Sequence, residues 1–220
     1  MNALIIGGSS GLGLELAKQL LASGTTVTIT GRKDPGVDGL KFEALELAQP
    51  DLPTTLEGLM ADLSHIDLFV YAAGFYQEGR VTDLSIDQIE TMISVGGRGL
   101  IFGLRALLNK QADLPQLITI TSSSQYVARQ LEPVYNFVKA GAGHFTSSMA
   151  EDGRVGKALH VAPQGMQTAF WRDQPHKDVS SYIDPVWAAE QILATNQSNF
   201  KYKYIRILRD PARVEEVETR

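Results

Sequence analysis

The chain has 220 residues, enough for one domain with a full core, and its 44% hydrophobic and 20% charged composition is ordinary for a globular protein. A net charge of −5 argues against nucleic acid or an anionic membrane surface as the main partner, and the absence of cysteine excludes disulfides, thiol catalysis and thiolate metal sites. No apolar run of membrane-spanning length is read, and residue 1 leads directly into a strand with no room for a signal peptide, so a cytoplasmic protein is expected.

Ala3-Leu4-Ile5-Ile6 reads as a buried strand, Gly7-Gly8-Ser9-Ser10-Gly11-Leu12-Gly13 as a turn, and Leu14 onward as a helix with an apolar stripe at Leu16, Ala17, Leu20 and Leu21. A glycine-rich turn between a strand and a helix is the context that points to dinucleotide binding. Gly7 permits the sharp turn, Gly11 lets the backbone approach a pyrophosphate, and Gly13 lets the helix pack close to the sheet. The N–H groups of Ser9, Ser10, Gly11, Leu12 and Gly13 then face the phosphates at the positive end of the helix dipole.

Thr25 to Thr30 reads as a second strand. An acidic residue near its end would hold a free ribose 2′-hydroxyl, but Thr30 and Gly31 stand there, followed by Arg32 and Lys33. A guanidinium suits a 2′-phosphate, which favours NADP(H) over NAD(H), although Asp34 is close by. Lys41 to Leu47 reads as a third strand, and Asp51 to Leu63 as a helix with Asp51 as N-cap and Pro53 in the first turn. Ile66 to Tyr71 reads as a continuously apolar inner strand, ending in Ala72, Ala73 and Gly74, small enough for a cofactor to lie against.

From Ile86 to about Asn109 a helical pattern is interrupted by Gly96-Gly97-Arg98-Gly99. Each glycine in a helix costs about 1 kcal/mol relative to alanine, so the cluster marks a kink or a close approach. Gln116 to Thr121 is a fifth strand running into Ser122, Ser123 and Ser124, Pro133 opens a helix reaching Met149, and Lys157 to Ala162 is a sixth strand. A loop from Ala169 to Asp184 precedes a helix at Pro185 and a terminal strand from Tyr202 to Leu208. The charged tail, Arg213 to Arg220, reads as mobile. Strand–helix alternation makes this a single-domain α/β chain with about seven mostly parallel strands, Rossmann-type and doubly wound, with a short substrate lobe around 163–185. His65, His144, His160 and His176 show no ligand spacing, so no metal site is expected.

Tyr135 and Lys139 are four apart on one helix and share a face. A nearby ammonium stabilises a phenolate, so the pair can exchange a proton with a substrate oxygen, which a serine after the fifth strand could orient.

With these residues in view, the chain resembles the short-chain dehydrogenase/reductase family over nearly its whole length. Gly7, Gly11 and Gly13 fit its GxxxGxG form, Tyr135-Asn136-Phe137-Val138-Lys139 its YxxxK, and Ser122 lies thirteen residues before Tyr135, the family's usual spacing for the catalytic serine. The resemblance implies that Ser122 polarises a carbonyl, Tyr135 protonates it, and Lys139 binds the nicotinamide ribose and lowers the tyrosine pKa. It places Pro163 and Thr168 beside the cofactor, and the small-residue face around Ala140, Gly141 and Ala142 in a homodimer or homotetramer.

Three segments depart from the family pattern. Tyr71-Ala72-Ala73-Gly74 replaces Asn-Asn-Ala-Gly, Gln164 replaces the glycine after Pro163, and Gly96 stands where many members have the asparagine of a proton-relay water. A backbone carbonyl at the Gly96–Gly99 break could hold that water instead. The expected activity is hydride transfer between NADP(H) and a small carbonyl or secondary alcohol. A dinucleotide-binding sensor with little turnover is the alternative, and a nucleotide-sugar epimerase would need a longer C-terminal region.

Overall fold

A computed structural model describes residues 1–171 and 178–220, so the His176 reading and part of the 163–185 lobe lie outside the described residues. The apolar runs form β1 (Asn2–Ile6), β2 (Thr26–Gly31), β3 (Lys41–Ala44), β4 (Leu68–Tyr71), β5 (Leu114–Ile120), β6 (Val155–Pro163), β7 (Tyr202–Arg209) and β8 (Ala212–Thr219). They make one sheet in the order β3-β2-β1-β4-β5-β6-β7-β8, parallel except for the β7–β8 pair. Successive side chains of a strand face opposite sides, and β1 shows the result. Leu4 and Ile6 join Leu52, Leu56, Phe69, Leu104 and Leu107 on one side, under α2 (Leu52–Asp62) and α4 (Gly99–Lys110). Ile5 joins Leu16, Leu20, Ile29, Val70 and Ile192 on the other, under α1 (Gly11–Ala22) and α6 (Pro185–Asn196).

The third strand is shorter than the Lys41 to Leu47 pattern. Past Ala44 the chain leaves the sheet, and Leu45 and Leu47 are buried in the cluster that contains Leu52 and Tyr71. Asp51 precedes α2 without a side-chain capping bond. A full capping box appears instead at Ser85 and Gln88, which opens α3 (Ile86–Ile93).

The glycine cluster Gly96 to Gly99 does not break the helix. Ser94–Arg98 winds as a π-helical segment joining α3 to α4, so Ile86–Lys110 is one continuous helix of 25 residues. That helix, with mean hydropathy 1.3, is long and apolar enough to cross a membrane, contrary to the sequence reading. Over half of its apolar stretch, 56%, is buried in the fold, where Leu100, Leu104 and Leu107 belong to the core.

The tail read as mobile is β8. Its charges are spaced for pairing across the strands: Lys203 meets Glu216 at 2.7 Å and Arg206 meets Glu215 at 3.3 Å. Backbone bonds tie its end, with Lys201 N donating to Arg220 O at 2.8 Å and Arg220 N to Tyr202 O at 2.9 Å. Composition suggested solvation, but without β8 the long strand β7 would present an open row of N–H and C=O groups.

β1 pairs with β2 on one side and β4 on the other, so the sheet reverses its winding between β1 and β4. Ligands of open α/β sheets bind outside the carboxyl ends of the strands at such a reversal. Deleting residues 212–220 is expected to lower the thermal midpoint and promote self-association, read by thermal unfolding and light scattering. An unchanged midpoint would mean that β8 contributes nothing to stability.

Candidate active site

The turn after β1 is built by close approach. Gly7 has φ +85°, and a Cβ there would lie 2.5 Å from the Ala73 backbone nitrogen at the end of β4. A Cβ on Gly13 would land on the Gly7 carbonyl oxygen, so α1 starts directly against the turn. The first helical bond runs from Leu14 N to Ser10 O at 3.2 Å, which leaves the N–H groups of Gly11, Leu12 and Gly13 ahead of it. Ser10 supplies no side-chain cap, and no acidic residue stands in the first turn. Across the turn, Thr168 packs 3.4 Å from where a Gly11 Cβ would sit, which brings together two segments separated by most of the chain. Pro163 ends β6 and is buried on the same side of the sheet.

At the end of β2, Gly31 lies against the Ser9 side chain and leaves room for none of its own. Arg32 and Lys33 are exposed beyond it. Asp34 is turned to its own loop, where Oδ1 accepts from Gly36 N at 2.8 Å.

The second half of the site comes from β5 and α5 (Pro133–Met149). Tyr135 and Lys139 lie one helical turn apart and both are buried, at 7% and 4% exposure. Ser122 follows β5; its Oγ accepts from Ser124 N at 3.1 Å and donates to Ser124 Oγ at 3.1 Å. Lys139 Nζ donates to the Ile120 carbonyl at 3.3 Å and stands 5.6 Å from the Tyr135 ring centroid. Gly74 adds no side chain between Lys139 and Phe170, whose nearest atoms lie 3.5 and 3.6 Å from where its Cβ would be. Tyr76 meets the Tyr135 ring edge-on at 5.0 Å and Trp171 at 5.5 Å, and Trp171 meets Tyr182 at 5.6 Å, so aromatic rings cover the tyrosine.

Burial pushes the Tyr135 phenol well above its ordinary value, against the neighbouring Ser122 hydroxyl, which pulls it down. Lys139 was expected to do the lowering. Burial instead draws the lysine's own pKa down to about 8, which weakens it as a permanent cation beside the ring.

The Gly96 position is closed. A side chain there would meet Val138 of α5, and the Val95 carbonyl at the π-helical segment accepts from the Tyr71 hydroxyl. Gly99 is bare because that hydroxyl fills the space of its Cβ. The carbonyl just before Gly96 is therefore engaged by Tyr71, the residue standing in place of an asparagine. Sequence reasoning also missed Glu132, buried at 9% exposure beside Ser124, Arg129 and Tyr76; its only signal was an acid three residues before the tyrosine.

The family model for short chain dehydrogenases matches residues 1–178. The chain belongs to that family. Curated relatives include an uncharacterized oxidoreductase of Staphylococcus epidermidis, 27% identical over 180 residues, which span 76% of this chain and 78% of the relative. A short-chain dehydrogenase/reductase structure from Vibrio parahaemolyticus is 28% identical, with a TM-score of 0.81 over 94% of this chain and 99% of the other. The closed form of a serine dehydrogenase complexed with NADP+ shares the fold, at 21% identity and a TM-score of 0.79 over 93% of this chain and 94% of that one.

Family members are oxidoreductases that use a nicotinamide cofactor, and the residues here fit one. The uncapped start of α1 and the cradle of bare glycines leave backbone donors where a pyrophosphate would lie, with Lys139 and Tyr135 at the far end.

The lysine yields a prediction with a defined sign. Its pKa is lower in the folded protein than in the unfolded chain, so the unfolded chain binds more protons between about pH 8 and 10.5 and stability rises with pH through that window. At neutral pH the buried ammonium costs stability. Lys139→Met should raise stability at pH 7 by up to about 3 kcal/mol, flatten that pH dependence and abolish turnover. Denaturant unfolding at pH 7 and pH 10 checks it.

Proposed function

We propose that this protein is an NADP(H)-dependent oxidoreductase that transfers a hydride between the nicotinamide and a small carbonyl or secondary alcohol. The observation that carries the reading is the pair of buried side chains Tyr135 and Lys139, one helical turn apart on α5, with the Ser122 hydroxyl beside the tyrosine at the carboxyl end of the sheet. The dinucleotide supplies the hydride when bound at the turn after β1. Ser122 donates to the substrate oxygen and orients it, and Tyr135 gives that oxygen its proton in reduction or takes it in oxidation. Lys139 holds the ribose end of the cofactor and supports the tyrosine proton. The aromatic cover of Tyr76, Phe170 and Trp171 excludes water from the reacting oxygen. The exposed face of α5, with Phe137, Ala140 and Gly141, supports assembly with a second copy of the chain. The closed Gly96 position favours a second reading, a dinucleotide-binding sensor with little turnover.

Exposed Arg32 and Lys33, with no acid at Gly31 and Asp34 tied into its own turn, support a preference for the 2′-phosphate. The neighbour complexed with NADP+ is consistent with a fold that admits that cofactor. Titration should find NADPH bound more tightly than NADH, with Arg32→Ala narrowing the gap by roughly 1.5–3 kcal/mol. Equal affinities in the unmutated protein would refute the preference.

A panel of aldehydes, ketones and secondary alcohols, followed by NADPH absorbance, should reveal turnover. Tyr135→Phe should reduce it on the order of a hundredfold or more with cofactor affinity kept. No turnover with either cofactor would leave the sensor as the better reading.

A further inference from the structure

Behind Ser122 runs a line of hydroxyls that the family chemistry does not use. Ser124 Oγ donates to Glu132 Oε2 at 2.7 Å, Arg129 Nη1 reaches the same carboxylate oxygen at 3.1 Å and Ser124 Oγ at 3.0 Å, and Tyr76 donates to Glu132 Oε1 at 3.1 Å. Without substrate the directions are set. A carboxylate only accepts, so the Ser124 proton is spent on Glu132; Ser124 is then an acceptor towards Ser122, whose proton points to it at 3.1 Å. Ser122 in turn neighbours the Tyr135 hydroxyl, whose pKa it lowers. The links from Ser122 to Ser124 and from Ser124 to Glu132 are hydrogen bonds, and Ser124 and Glu132 are both buried while Arg129, at the outer end, is exposed. The line leads from the enclosed tyrosine towards the surface.

Among the described residues, the opposite side of Tyr135 offers no such line. Lys139 Nζ is bonded to the Ile120 carbonyl, the Val95 carbonyl is taken by Tyr71, and Val138 fills the space at Gly96. A tyrosine covered by Tyr76 and Trp171 still has to regain or lose one proton per turnover.

We propose that Ser122, Ser124 and Glu132 form the proton path between Tyr135 and solvent, with Glu132 as its outer acid. The proposal rests on the oxidoreductase reading above for its use in turnover. In reduction, Tyr135 gives its proton to the substrate oxygen. The Ser122 proton then restores the tyrosine O–H, the Ser124 proton restores Ser122, and protonated Glu132 restores Ser124; water returns a proton to the carboxylate. One proton moves from solvent to product and no electron travels along the path. Oxidation runs the same bonds outward, the direction in which the hydroxyls already point. The groups facing the carboxylate are Arg129, which pairs with it at 3.1 Å, and Tyr76, Ser124 and Tyr135, with Glu78 acting on Tyr76. Glu132 and Ser124 touch no reacting atom and are positioning residues that act through Ser122.

The test reads the tyrosine proton itself. In protein labelled with 13C at tyrosine Cζ and dissolved in equal H2O and D2O, hydroxyl exchange averages or splits each Cζ resonance, and Tyr135→Phe identifies the line. The unmutated protein should give an averaged Tyr135 line. Glu132→Gln and Ser124→Ala should slow exchange at least tenfold and split it, whereas Glu132→Asp, which keeps a carboxylate, should restore averaging. Thermal melts establish that each variant is folded, and Ser124→Ala stands in if Glu132→Gln is not. A Tyr135 line that exchanges equally fast in the folded variants overturns the path. Because exchange needs no substrate, a carbonyl panel without turnover would sink the oxidoreductase reading and leave this result standing. On any panel substrate that is turned over, Glu132→Gln should lower kcat about tenfold with KM unchanged, and an unchanged kcat counts against the path.

Discussion

Keeping Tyr135 and Lys139 out of water on one turn of α5 is the constraint on which the site depends. Burial disfavours the charged form of each, raising the phenol and lowering the ammonium, so both are moved away from the states they hold in solvent. The surroundings offset that cost with particular partners. Ile120 at the end of β5 accepts from the lysine, Ser122 two residues later meets the tyrosine, and the Tyr76 ring stands edge-on to it. β5 and α5 must therefore be fixed against each other closely, which a parallel sheet with a helix across its carboxyl end achieves.

The same sheet brings the two halves of the site together. Gly7 follows β1 and Ala73 follows β4, neighbouring strands in the sheet though far apart in the chain, and their backbones touch because Gly7 has no Cβ. That contact holds the open N–H groups of α1 at a fixed distance from Gly74, Lys139 and Tyr135. The turn after β1 and the Gly74, Lys139 and Tyr135 cluster thus lie together at the carboxyl ends of the strands, where open α/β sheets bind their ligands.

The π-helical segment Ser94–Arg98 reveals a local trade. Tyr71 carries its hydroxyl under the helix to the Val95 carbonyl, and Gly99 is bare to admit it. A buried phenol that lacks a partner is costly, and here the partner is a carbonyl made available by the wider helical turn. The arrangement ties β4 to the long helix. The proton path proposed above lies on the other side of Tyr135, where Ser124, Glu132 and Arg129 are clustered.

Much was legible in the sequence because it is local. Strand–helix alternation, the glycine turn between β1 and α1, and the four-residue spacing of Tyr135 and Lys139 are encoded over short stretches, where periodicity and backbone freedom dictate the outcome. The glycine cluster at Gly96 was rightly read as a point of close approach for the same reason. Tertiary structure decided what depends on partners remote in the chain. The charged C-terminal residues became β8 because Glu215 and Glu216 meet Arg206 and Lys203 across an otherwise open strand. Glu132 became part of the site because folding buries it against Ser124 and Tyr76, and Gly96 was closed because Val138 packs into it. Charge and desolvation act through space, and neither is visible until the fold sets the distances.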